Sequence, residues 1–179
     1  MFEHISVRRK PGTLGEGLLH LDENRVFRCT LGRAGMTVFK REGDGATPAH
    51  AVMRPLWGYW RADRLGIPPA SPLDLRAIGP RDGWCDASAH PAYNTPVTLP
   101  FSASHETMMR DDVLYDLCIV LDWNMPPSRS RNRGSAIFLH AAKPGYPPTQ
   151  GCIALSLPDL RKVVAGLTPD TRISVLRQA

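Results

Sequence analysis

Leu139-His140, which closes an apolar run, and Thr149-Gln150-Gly151-Cys152-Ile153, which carries a cysteine twelve residues after that histidine, are the segments best suited to chemistry. A thiolate is a strong nucleophile, but an ordinary thiol is mostly protonated at neutral pH. A nearby imidazole can take the proton and stabilise the thiolate. The pair therefore suits attack on an acyl carbon, with His140 as base toward Cys152. Gly151 is expected to leave room beside Cys152 for a substrate, and backbone N–H groups at such a turn can form an oxyanion hole.

The other conspicuous residues have simpler readings. Cys29 and Cys118 lie in strand-like apolar runs and are expected to be packed thiols, while Cys85 is expected on a loop. No two cysteines form a C-x-x-C pair, which argues against a zinc ribbon or a thioredoxin-type motif. His105-Glu106 and Asp111-Asp112 have no second ligand pair at metal spacing and read as solvated loop, so neither a metal nor a cofactor is expected. The Gly-rich stretch around Asp44 lacks the Gly-Lys-Ser/Thr of a phosphate loop, and Asp44 reads as a turn former. The basic run Ser128 to Gly134 has three arginines without interleaved aromatics. It reads as a solvated loop, and no nucleic-acid partner is expected.

These residues need a frame of short strands. Prolines (17) and glycines (15) are spread along the chain, which favours many short strands and loops over long helices. Glu16–Leu21 and Arg25–Leu31 read as a hairpin around Asp22-Glu23-Asn24, and Met36–Arg41 and Val52–Trp60 as further strands. Leu114–Leu121 and Ser135–His140 read as the two most buried strands, so His140 sits where a rigid element ends. Gly66–Pro100 is rich in Pro, Gly and Asp and reads as long excursions. Ser156 can cap a helix with Pro158 in its first turn and Asp159 completing a capping-box-like pair; Leu160, Val163, Val164 and Leu167 then follow at helical spacing. Arg172–Leu176 reads as a closing strand.

The 179 residues, 42% hydrophobic and 22% charged, are ordinary for a globular chain and are expected to form one domain spanning residues 1–179. A net charge of +5 favours anionic partners only weakly. No stretch approaches a membrane span, and Met1–Lys10 shows no apolar core of a secretory signal, which taken alone points to the cytoplasm.

His140 with Thr149-x-Gly151-Cys152-Ile153-x-Leu155 resembles the signature of L,D-transpeptidase catalytic domains of the YkuD type, and the Gly-rich stretch Lys40–Pro48 resembles that family's segment ending in Thr-Pro. The resemblance implies a mainly β fold, a β-sandwich with short helices and long loops. It also implies that the partners are peptidoglycan stem peptides, donor and acceptor. Cys152 would form a thioester with the donor, His140 would act as base and then acid, the carbonyl of Ala141 would orient the imidazole, and the Gly151 and Cys152 N–H groups would form the oxyanion hole. Thr149 and Gln150, with Tyr115, Asp122, Trp84 and Arg133, are the candidate substrate contacts. The family works in the periplasm or cell envelope, which stands against the cytoplasmic reading above.

Departures from the pattern bear on the substrate. The loop between His140 and Cys152 is short, Gln150 stands where many members have His, and Ala154 stands where many have Arg or Asn. An arginine there would pair with a substrate carboxylate; Arg133, Lys143 or Arg81 could supply the charge instead. Donor and crosslink type are therefore open. Two alternatives stand beside transpeptidation: an L,D-carboxypeptidase that uses water as acceptor, and an inactive peptidoglycan-binding module.

Overall fold

The computed structural model describes residues 1–176. In chain order the elements are β1 (His4–Arg9), β2 (Glu16–His20), β3 (Val26–Thr30), β4 (Met36–Thr37), β5 (Thr47–Pro48), β6 (Ala51–Met53), β7 (Pro55–Trp60), α1 (Ala62–Leu65), β8 (Leu75–Ala77), β9 (Asp82–Cys85), β10 (Pro96–Thr98), β11 (His105–Thr107), β12 (Leu117–Leu121), β13 (Phe138–Ala141), β14 (Ile153–Leu155), α2 (Leu157–Val164) and β15 (Arg172–Leu176). The architecture is mainly β, as the sequence implies. Ten strands make one curled mixed sheet in the order β6-β15-β1-β2-β3-β14-β13-β12-β7-β8, and β10-β9-β11 and β4-β5 form two smaller sheets.

Strand alternation sorts the side chains of the central strands onto two faces. Leu117, Ile119, Leu139, Ala141, Ile153 and Leu155 point into the larger core, shared with Ile5, Val7 and Ile173 from the other half of the sheet. That face is closed by α2, whose Leu160, Val163 and Val164 are fully buried, and by Leu167 just beyond it. Ser156 starts the helix by accepting the Asp159 N–H at 3.2 Å. Cys118, Val120, Phe138 and Cys152 point to the opposite face, into a second cluster with Trp84, Met108 and Tyr115. The sheet built around β9 supplies Trp84 to that cluster, so the second layer of the sandwich is small and lies over the face that carries His140 and Cys152.

Several local expectations need correction. Val52–Trp60 is two strands, β6 and β7, separated at Arg54, and β4 covers only two residues of Met36–Arg41. The excursion Gly66–Pro100 contains β8, β9 and β10, and β1 at the N-terminus pairs in parallel with β15. Cys85 is not on a loop but on β9, with no exposed surface. His105-Glu106 is not solvated loop either: it forms β11, which pairs with β9 so that His105 faces Cys85 and Glu106 faces Trp84. Strands of three or four residues such as β8 to β11 carry too little periodicity to stand out, and pairing with distant strands creates them.

Candidate active site

His140 and Cys152 meet because β13 and β14 run in parallel, with His140 level with Ala154. Residues two apart on a strand share a face, so the Cys152 and Ala154 side chains lie on the face where His140 points. Both His140 and Cys152 line one cavity of about 450 Å³. His140 is held on two sides. Its Nδ1 lies 2.8 Å from the carbonyl of Ala141, and the Tyr115 ring meets it edge-on at 5.7 Å. A neutral imidazole that donates from Nδ1 leaves Nε2 as a lone-pair acceptor.

Cys152 is fixed by a tight turn. The Thr149 hydroxyl donates to the Cys152 carbonyl at 2.7 Å and accepts the Gly151 N–H at 3.1 Å. Gly151 has φ of +138°, a region closed to L side chains, and a Cβ there would sit 2.9 Å from the Ala46 carbonyl oxygen. On the side where a Cβ would point, the space beside Gly151 is thus taken by the Gly-rich loop. Asp44 shapes that loop, as expected of a turn former. Its carboxylate accepts from the N–H groups of Arg41 and Ala46 at 2.7 and 2.9 Å and pairs with buried Lys40.

Burial sets the resting protonation of both groups. It lowers the His140 pKa to about 4 from 6.5, against a smaller opposing effect of the bond to Ala141. It raises the Cys152 thiol to about 12, with Glu106 pushing further in the same direction. At rest the pair is therefore a neutral thiol and a neutral imidazole. The thiol donates to the Ala136 carbonyl at 3.1 Å, and the Phe138 N–H points at Sγ from 3.4 Å. That N–H, together with the charge of Lys40, favours the thiolate once it forms.

The rest of the cavity is charged. Glu106 lies in it, with the Tyr115 hydroxyl donating to its carboxylate. Arg110 and Lys143 also line it. Arg110 grips Asp112 with two bonds of 2.8 Å while its guanidinium lies 5.4 Å from the Tyr115 ring centre, and Lys143 reaches the same carboxylate at 3.0 Å. The hydrogen bond from Arg110 holds Asp112 well below the usual carboxylate range. Two cations thus share one carboxylate at the cavity wall. Glu106 and Arg110 line the cavity although neither is expected in the site from sequence. The pattern Arg110-Asp111-Asp112, a cation beside two acids, was the available signal for Arg110.

The candidate contacts divide cleanly. Thr149, Gln150 and Tyr115 line the cavity with His140 and Cys152. Thr149 spends its hydroxyl on the turn, and the Gly151 N–H is spent on Thr149, so of the two N–H groups expected as oxyanion donors the Cys152 N–H is the one these bonds do not engage. Trp84 is not a contact: it has no exposed surface, donates to Asn94 at 3.1 Å and supports Phe138 edge-on at 5.0 Å. Asp122 and Arg133 are corrected too. They border a separate depression at the far end of β12, where Asp122 accepts the Arg54 N–H at 2.8 Å. Because β12 runs antiparallel to β13, with Cys118 facing His140, the strand carries Asp122 roughly 13 Å away from the His140 level. Of the cations weighed to replace an arginine at Ala154, Lys143 reaches the cavity. Arg81 instead donates to the Leu99 carbonyl at 2.8 Å.

Residues 18–175 match a protein family described as YkuD, the L,D-transpeptidase catalytic domain. No curated protein and no solved structure is significantly similar to the chain.

Proposed function

The chain belongs to the YkuD family of L,D-transpeptidase catalytic domains, and from that premise we propose that it is a cysteine acyl transferase that acts on peptidoglycan stem peptides through a Cys152 thioester. The observation that carries this reading is His140 with a free Nε2, beside Cys152 on one sheet face and in one cavity.

The chemistry follows from the resting state. Nε2 of His140 takes the Cys152 proton as Sγ attacks the donor carbonyl. With a thiol near 12 and an imidazole near 4, proton transfer is costly ahead of attack, so it accompanies attack. The Cys152 N–H faces the developing oxyanion. The imidazolium then protonates the leaving amine of the terminal D-amino acid, and the donor remains as a thioester. An amine of a second stem resolves it into a crosslink; water would resolve it into a trimmed stem, making the enzyme an L,D-carboxypeptidase. Arg110 and Lys143 supply the cationic contact for a donor carboxylate that Ala154 cannot make. No helix among the described residues is long and apolar enough to cross a membrane, and the cell envelope, where the family's substrate lies, is the working site on this reading.

The test is incubation with purified disaccharide tripeptides and tetrapeptides, with Cys152→Ala alongside, and product analysis by mass spectrometry. A dimer that has lost one terminal D-amino acid, absent with the variant, is the expected product. Trimmed monomers alone indicate the carboxypeptidase. Unchanged substrates point to the inactive binding module and overturn the proposal.

A further inference from the structure

Glu106 is the carboxylate of the cavity, and the reaction as described gives it no task. It is also an expensive residue to keep there. A carboxyl packed against buried Trp84 and Tyr115 costs desolvation, and a glutamine would accept the Tyr115 hydrogen bond without that cost. Its surroundings add to the negative charge: Glu42 and Asp86 act on it from neighbouring segments, and Asp86 Oδ1 is buried with no hydrogen-bond partner among the described residues. Across the cavity, Arg110 and Lys143 are already partly neutralised by Asp112. The side of the cavity around Glu106 therefore favours a positively charged group, and one reactant of the proposed transfer carries one. The acceptor amine of a stem peptide arrives as an ammonium and has no lone pair until it loses a proton.

We infer that Glu106 is the general base of the transfer half-reaction, taking a proton from the acceptor's ammonium so that the neutral amine attacks the Cys152 thioester. The inference rests on the thioester reading above. The ammonium gives one proton to the Glu106 carboxylate. The nitrogen lone pair forms the C–N bond, the C–S bond breaks, and Cys152 leaves as thiolate. The second nitrogen proton passes through His140 to that thiolate, restoring the thiol, and Glu106 returns its proton to water through the cavity mouth. The groups that face Glu106 are the Tyr115 hydroxyl, the Arg110 guanidinium, the Asp86 and Glu42 carboxylates and, across the cavity, Cys152 and His140. Burial raises its proton affinity and the Tyr115 bond lowers it, so it is a stronger base than an exposed glutamate, as removing a proton from an ammonium requires.

The test compares the parent protein with Glu106→Gln and Glu106→Asp. Each is loaded with a donor muropeptide and then offered either a stem amine, an ammonium at neutral pH, or hydroxylamine, which is uncharged there. Transfer to the stem amine is expected to fall about a hundredfold in Glu106→Gln, the scale of general-base catalysis, while transfer to hydroxylamine changes by less than about threefold. The thioester accumulates on the variant, and Glu106→Asp recovers part of the loss. Equal losses with both acceptors, or no loss, overturn the inference and leave the thioester reading intact. A parent protein that forms no thioester overturns both. Should Glu106→Gln not fold, Tyr115→Phe keeps the carboxylate and removes the bond that lowers its proton affinity. The acid limb of stem-amine transfer then moves to higher pH while the hydroxylamine profile stays in place, and an unmoved limb overturns the inference.

Discussion

Acidification is a sharp perturbation of the site, because the contribution of His140 can be isolated above the range in which Asp112 titrates. His140 has a folded pKa of about 4, against 6.5 for an ordinary imidazole. The unfolded chain therefore binds a proton at this residue between those values while the folded chain does not. Where the unfolded state holds more protons, stability rises with pH, so the loss begins below about 6.5 and is complete near 4. At about 1.4 kcal/mol per pH unit, His140 alone removes about 3 kcal/mol from the fold over that window. Urea unfolding of the parent protein and of His140→Gln at pH 7, 5.5 and 4.5 isolates this contribution, because other titrating groups are common to both. The stability of the parent relative to the variant is expected to fall as pH is lowered and to be flat above pH 7. The same protonation state governs chemistry. The neutral pair is a tautomer of the imidazolium–thiolate pair, so their ratio does not change between about 4 and about 12, and donor acylation should keep its rate down to about pH 4.5. Parallel stability curves for the two proteins, or an acylation limb centred near 6.5, would refute the buried, neutral His140 on which the mechanism depends.

Other consequences are more local. Gly151→Ala places a Cβ 2.9 Å from the Ala46 carbonyl at a φ closed to alanine, and about 2–4 kcal/mol of unfolding free energy should be lost in denaturant titration; a loss under about 0.5 kcal/mol contradicts the turn described. Thr149→Val removes the hydroxyl that ties Gly151 to Cys152 and should lower acylation at least about tenfold, with Thr149→Ser close to the parent; equal rates for Val and Ser would show that the bond does not position the nucleophile. Arg110→Gln should raise the KM for stems with a free carboxylate about tenfold and leave amidated stems within about twofold; an equal rise for both would remove Arg110 from donor recognition.

Much of this site is readable from sequence because it is local. His140 lies one residue before the end of β13, which covers Phe138–Ala141 and not the expected Ser135–His140, Cys152 follows a glycine in a short motif, and Ser156 announces α2; each depends on neighbours within a few residues. Glu106 is legible only after folding. Its strand has three residues, flanked by Ser104 and Met108, and its burial comes from pairing with β9, some twenty residues earlier in the chain. Trp84 fails in the opposite direction. An aromatic among Pro, Gly and Asp suggests a cleft, yet β9 turns it inward behind Phe138. Asp122 and Tyr115 flank the same apolar run, and only the antiparallel register, with Cys118 facing His140, decides which end of that run belongs to the site. Arg110 reaches the cavity from a turn, where neither strand nor helical periodicity gives it a direction.

The central claim is a covalent bond between Cys152 and a stem peptide. The most direct measurement is acid quenching of the protein soon after mixing with tripeptide and tetrapeptide muropeptides, followed by intact mass and peptide mapping. The expected mass increase equals the donor minus the free D-amino acid released, on the peptide that contains Cys152, with none in Cys152→Ala. An increase that persists in the variant or maps to another residue, or no increase with either donor, would contradict it.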